Sequence, residues 1–203
     1  MDLGKLGVWY FLDGLSTEDS IRAAQKIESL GYGALWLPET VGKDPLTTSS
    51  LLLSVTTKLN LATGIVNIYH REPGVMLAAQ KTLAEQSQNR FILGMGVSHK
   101  PLVEGVRGLE YGPPVKTMRD YLSKMEASPY TGIASSEKPT TLIAALGPKM
   151  LELAAEKTDG AHPYFTSPEH TEFARKILGK DKKLCVEQKV MLEPDLPKAR
   201  DLA

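Results

Sequence analysis

A few residues in this 203-residue chain have types and neighbours that could do chemistry. His99 stands in Val97-Ser98-His99-Lys100-Pro101. An imidazole that titrates near neutral pH suits a general acid, and a structural hydrogen bond is its plainer use. Ala145-Leu146-Gly147-Pro148-Lys149 joins a glycine turn to a proline placed for the first position of a helix. The free N–H groups of such a helix start could seat a phosphate, with Lys149 adding charge, although an ordinary strand-to-helix turn reads the same way. Gly94-Met95-Gly96 is half of a dinucleotide fingerprint without the third glycine, so a tight turn or close backbone approach explains it as well. His162 and His170 have no partner at metal-ligand spacing, and the sequence has no G-x-S-x-G and no P-loop. The single cysteine, Cys185, lies in an apolar run and reads as a core residue.

Positioning these groups requires regular elements, and the chain alternates between strand-like and helix-like segments. Leu6 to Phe11, Ala34 to Leu37, Leu61 to Ile68, Phe91 to Val97, Thr141 to Leu146, Ala161 to Phe165 and Leu184 to Leu192 read as strands. Helices are expected from Ser16 to Gly31, from Pro45, from Pro73 to about Gln88, from about Val115 to Ala127, from Pro148 to about Thr158 and from Pro168 to about Leu178. Such alternation argues for a parallel sheet; an open doubly wound sheet and a (β/α)8 TIM-type barrel both fit, and the strand spacing suits barrel units. About seven units are present where a full barrel has eight. The expected architecture is one barrel domain over residues 1–203, incomplete at its C-terminal end, with residues 100–138 inserted over the mouth. An open barrel leaves strand edges unpaired, which calls for a partner chain and makes a homodimer the simplest solution. In a barrel the site lies at the C-terminal strand ends. There the sequence places Asp13, Glu39, the run Asn67 to Arg71, Ser98, His99, Gly147, Lys149, His162 and Tyr164.

Composition narrows the functional classes. Twenty-four basic residues balance 24 acidic ones, so nothing suggests a nucleic-acid backbone as partner. No apolar run approaches the length of a membrane span, the N-terminal residues do not read as a secretory signal, and one cysteine cannot form an internal disulfide. The expected location is the cytoplasm and the expected partner a small molecule.

Several stretches together resemble a known group. They are Leu30-Gly31-Tyr32-Gly33-Ala34-Leu35-Trp36, Leu61-Ala62-Thr63-Gly64-Ile65, Arg71-Glu72-Pro73, Arg90 to His99, Ala144 to Met150 and Thr158-Asp159-Gly160-Ala161. The sequence resembles the luciferase-like monooxygenase superfamily, and within it the coenzyme F420-dependent oxidoreductases. The resemblance implies an enzyme that passes a hydride between F420 and a small organic substrate. It leaves as alternatives an FMN-dependent monooxygenase and a shortened, non-catalytic paralogue that only binds such a ligand. It also implies a non-proline cis peptide at Gly64-Ile65 behind the cofactor ring, and a phosphate held near Gly147-Pro148. The cofactor-binding positions expected on this basis are Thr63, Gly64, Ile65, Gly96, Ser98, Leu146, Gly147, Pro148 and Lys149, with no metal. His99 and Glu39 are the expected catalytic residues. His99 stands where some F420 enzymes carry a carboxylic proton donor, and Glu39 where several members carry a histidine near the ring.

Overall fold

The computed structural model describes residues 2–202. The strands are β1 (Val8–Trp9), β2 (Ala34–Leu37), β3 (Asn60–Thr63), β4 (Val66–Asn67), β5 (Phe91–Gly96), β6 (Thr140–Ile143), β7 (Gly160–Ala161) and β8 (Lys183–Leu184). They form one sheet in the order β1-β2-β3-β5-β6-β7-β8, with β4 also against β5, and every pairing is parallel. Because β3 and β4 are two halves of one strand position, the sheet has seven positions. Strand order follows chain order without the reversal that a doubly wound sheet requires. The result is the expected incomplete barrel: β1 and β8 stay unpaired with each other, and a cavity of about 1020 Å³ opens between them, lined by residues such as Leu6, Trp9, Trp36, Leu184 and Val190.

The helices are α1 (Thr17–Ser29), α2 (Pro45–Ser54), α3 (Pro73–Gln86), α4 (Pro114–Ala127), α5 (Pro148–Lys157), α6 (Pro168–Leu178) and α7 (Leu196–Leu202). Their starts follow from side chains that accept otherwise orphaned N–H groups. Ser16 accepts from Asp19 N, Asp44 from Thr47 N, Glu72 from Val75 N and Ser167 from His170 N. Only α4 and α5, among these with described caps, begin without a side-chain cap. No described helix is long and apolar enough to cross a membrane.

Strand residues alternate between two cores, as a pleated strand dictates. Leu35, Leu61, Phe91, Leu93, Met95 and Ile143 face the helices, where Leu52, Met76, Met118 and Leu151 meet them fully buried. Ala34, Trp36, Ala62, Ile92 and Leu142 face the barrel interior, with Trp9 and Cys185 packed beside them. Burial pushes the Cys185 thiol up to about 11, the behaviour of a core residue.

Several boundaries differ from those read along the sequence, mostly at the open edges. Of the apolar run Leu6 to Phe11 only Val8 and Trp9 form a strand, and of Leu184 to Leu192 only Leu184 lies in β8, with Glu187 forming an isolated bridge to Tyr164. The run expected as a single strand from Leu61 to Ile68 is broken after Thr63 and ends in a 3-10 turn at Ile68–His70. Of residues 100–138, the first part forms a π-helical turn at Pro101–Val106, while α4 packs between α3 and α5 in the outer layer.

One carboxylate organises the connection into β3. Glu28, near the end of α1, accepts the N–H groups of Thr57, Lys58 and Leu59 at 2.9, 2.6 and 2.8 Å. Burial opposes its ionisation, but these bonds and the charge of Arg90 outweigh it and hold its pKa below the ordinary glutamate value. A carboxylate lowered in the folded state contributes stability above its unfolded pKa and loses it as pH falls through the lowered value. Glu28→Ala is expected to cost about 1 kcal/mol near neutral pH. Denaturant melts of both proteins across the acid range should show that difference shrinking as the pH drops below the usual carboxylate range.

Candidate active site

The site begins at the break in the third strand position. Leu61 pairs with Phe91 and Ala62 with Ile92, but Val66 pairs with Met95. The partner offset falls by one across the break, so one extra residue is accommodated there as a bulge. Thr63 replaces the missing ladder bonds: its hydroxyl donates to Gly94 O at 2.8 Å and accepts from Gly94 N at 2.9 Å. Gly94 is glycine for a steric reason, since a Cβ there would lie 1.9 Å from Thr63 O.

The peptide bond between Gly64 and Ile65 is cis, at the position the family resemblance implied. Three bonds pin the segment. Gly64 N donates to Leu37 O at 2.8 Å, the Trp9 indole donates to Gly64 O at 2.7 Å, and Glu39 N donates to Ile65 O at 3.2 Å. A Cβ on Gly64 would sit 2.9 Å from Trp9 Nε1 and 3.0 Å from His162 Nε2, so the interior packs closely behind it. Ile65 lies half-buried on the other side, its Cδ1 occupying the space a Gly96 Cβ would need, at 2.7 Å.

Glu39 is tied into this wall by its carboxylate as well. Oε2 accepts from Asn67 N at 2.7 Å and both oxygens accept from Arg71, at 3.0 and 2.6 Å. The His70 ring faces the same carboxylate, Nδ1 3.3 Å from Oε2, while its Nε2 lies 3.0 Å from Asn67 Nδ2. With Asn67 donating to Nε2, the proton of His70 sits on Nδ1, directed at Glu39. Arg71 also reaches Asp44 at the start of α2, and its carbonyl accepts from the Tyr121 hydroxyl of α4 at 2.8 Å. Burial alone would pull the Arg71 pKa down; the hydrogen bonds and charges of Glu39 and Asp44 outweigh it and raise it. The Glu39 and Arg71 side chains are only 8% and 13% exposed, so this pair is largely shielded from solvent.

The remaining strand ends complete the rim. Ser98 takes a positive φ of 55° after β5 and aims the chain at His99, which is exposed with its ring edge-on to Tyr164. The following turn reaches across the mouth: Arg107 donates to Thr40 O at 2.9 Å, and Gly112 N donates to the Tyr69 hydroxyl at 2.9 Å. After β6, Leu146, Gly147, Pro148 and Lys149 are all exposed at the uncapped start of α5. No atom lies within 4 Å of where a Gly147 Cβ would be, and the His170 ring fixes the turn through Leu146 O at 2.8 Å. All these residues follow C-terminal ends of parallel strands and therefore share one face of the sheet.

Not every candidate from the sequence reaches that face. Thr63 is fully buried with its hydroxyl spent on Gly94, and Gly96 is buried behind Ile65. His162 lies in the interior, stacked on Trp36 at 4.6 Å with Nδ1 donating to Cys185 O at 2.8 Å. Burial lowers its pKa and keeps it neutral. Asp13 accepts from Lys43 N at 2.8 Å and serves the neighbouring loop. Nothing in the sequence signals the role of Trp9 at the bulge, because its contact is with a residue 55 positions away.

The two glycines make a direct contrast. Gly96→Ala forces Ile65 aside and is expected to destabilise by about 1–3 kcal/mol, the usual cost of overpacking. Gly147→Ala meets open space at an ordinary φ of −85° and should leave the melting temperature nearly unchanged. Parallel thermal melts of the two variants check this.

Comparison with known proteins agrees with this architecture. Residues 13–179 match the family model described as luciferase-like monooxygenase. A Mycobacterium tuberculosis protein provisionally named a coenzyme F420-dependent oxidoreductase is 30% identical over 199 residues, covering 83% of this chain and 56% of that protein. The coenzyme F420-dependent tetrahydromethanopterin reductase from Methanopyrus kandleri superposes with a TM-score of 0.71 at 20% identity, over 85% of this chain and 59% of that one. The oxygenating constituent of 3,6-diketocamphane monooxygenase from Pseudomonas putida, in complex with FMN, gives 0.70 at 14% identity, over 85% and 60%. The chain thus spans little more than half the length of the proteins it matches. With a sequential parallel barrel, a bulged third strand position and a family match across most of its residues, the chain belongs to the luciferase-like monooxygenase family.

Proposed function

We propose that the protein is an oxidoreductase that transfers a hydride between coenzyme F420 and a small organic substrate. The observation that carries this reading is the rim itself. The Gly64-Ile65 wall, the exposed His99 and the open start of α5 lie on one face, and the relative from Mycobacterium tuberculosis carries an F420-dependent name. The residues present fit such a ligand. Ile65 offers a half-buried apolar surface for a flat ring, and the uncapped α5 start, with no Gly147 side chain, leaves room and N–H groups for a phosphate.

In this reading Gly64 and Ile65 form the back of the ring site, supported by Thr63 and Gly96 from behind. Leu146, Gly147, Pro148 and Lys149 hold the phosphate, and Ser98 orients the chain that carries His99. When bound, F420 would supply the two-electron hydride chemistry. His99 supplies or accepts the proton that balances the hydride at the substrate. Glu39 enters as the carboxylate that fixes the wall.

A second reading, an FMN-dependent monooxygenase, is favoured by the FMN-bound neighbour of the same fold. A third, a binding protein without turnover, is favoured by the open side between β1 and β8. The same open side supports a homodimer, since exposed Leu6, Phe165, Val190 and Met191 gather around it. The lone cysteine fits the reducing cytoplasm as location.

Equilibrium dialysis with F420 and with FMN separates the first two readings: F420 is expected to bind in the micromolar range and FMN more weakly, and the reverse order would replace the first by the second. His99→Asn should lower turnover of reduced F420 with a panel of small carbonyl and alkene compounds about a hundredfold at unchanged F420 affinity. Binding without any turnover of the wild-type protein would select the third. Light scattering should give twice the 22.2 kDa chain mass, and a monomer would exclude the dimer.

A further inference from the structure

We propose that Arg71 is a positioning residue for the cofactor site, acting through Glu39 on the wall formed by Ile65 to His70. The inference rests on the proposed function for the identity of the ligand, and on the geometry for everything else. Glu39 grips that wall at two points on either side of Val66: its backbone N–H holds Ile65 O at 3.2 Å, and its Oε2 holds Asn67 N at 2.7 Å. The second grip requires the carboxylate to stay turned inward, where it is only 8% exposed. A carboxylate so placed persists because a charged partner meets it, and Arg71 does so with two nitrogens, at 3.0 and 2.6 Å. Arg71 is in turn held by Asp44 from α2, while its own carbonyl is held by Tyr121 from α4. The wall is therefore braced against two outer helices through one residue, to α2 by the guanidinium and to α4 by the backbone carbonyl.

Removing that guanidinium leaves a buried carboxylate facing His70, with Asp44, Glu72 and the Tyr121 hydroxyl as the other titratable groups nearby. None of these supplies a permanent positive charge. The Glu39 carboxylate then turns out to water, where its charge is solvated, and releases Asn67 N.

The experiment uses Arg71→Met, Glu39→Gln and the double variant. The readouts are the F420 dissociation constant by dialysis and the hydrogen-exchange rate of the Asn67 amide. In Arg71→Met the dissociation constant should rise about tenfold and the Asn67 amide should exchange about tenfold faster than in wild type. The double variant carries a neutral side-chain amide in place of the Glu39 carboxylate, and its carbonyl oxygen can still accept from Asn67 N. It should be rescued in both readouts, which a general loss of packing would not produce. Unchanged Asn67 exchange in Arg71→Met, or faster exchange without weaker F420 binding, overturns the proposal. Absence of F420 binding by the wild-type protein overturns the functional reading instead, and with it the cofactor role; the exchange data then report only whether the clamp exists.

Discussion

The structure depends on one extra residue in the third strand position. Between Ala62 and Val66 the chain slips one residue against β5, and no backbone ladder can bridge the slip. Thr63 substitutes its hydroxyl as donor and acceptor at once, and Gly94 lets Thr63 O approach closer than any side chain would permit. With the ladder repaired from below, the chain above is free to leave the sheet plane. Gly64 and Ile65 then present a surface at the mouth instead of a strand edge. The bonds from Leu37, Trp9 and Glu39 are what keep that surface in one place.

The polar groups around the bulge divide by burial into two kinds of work. Glu39, Arg71, Asn67 and His70 satisfy one another, and such a network rigidifies only because every member has a partner. His99 and Lys149 are exposed and take no part in it. A side chain whose bonds are all used inside the protein holds position well and exchanges protons with a ligand poorly. One left at the rim has the opposite balance. That division separates the two residues the sequence had paired as catalytic, since Glu39 falls on the first side and His99 on the second.

Much of the architecture was legible because it is local. The strand–helix alternation, the prolines at helix starts and the Ser16 cap each depend on residues a few positions apart, and all appear in the structure. The bulge was read only through resemblance, although Thr63-Gly64 interrupts the apolar run and a glycine inside a strand is the local mark of a bulge. The Glu39–Arg71 pair spans 32 residues and the Trp9–Gly64 bond 55, and no spacing rule reaches that far. The apolar run after Leu184 was over-read as strand for a related reason. Pairing depends on what lies alongside: after Leu184 the chain meets the segment beyond β7 at Glu187, which bridges Tyr164, and on its other side β8 has no neighbouring strand among the described residues.

The open side bears on the site through the interior. His162 donates to Cys185 O just beyond β8, stacks on Trp36 of β2, and brings its Nε2 to the space beside Gly64. Trp9, just inside the other free edge, bonds the Gly64 carbonyl. Both edges of the incomplete barrel are therefore connected to the same glycine by one side chain each. Trp9, Trp36 and His162 also line the cavity between β1 and β8, so the side chains that back the mouth at Gly64 are the ones that face the open side.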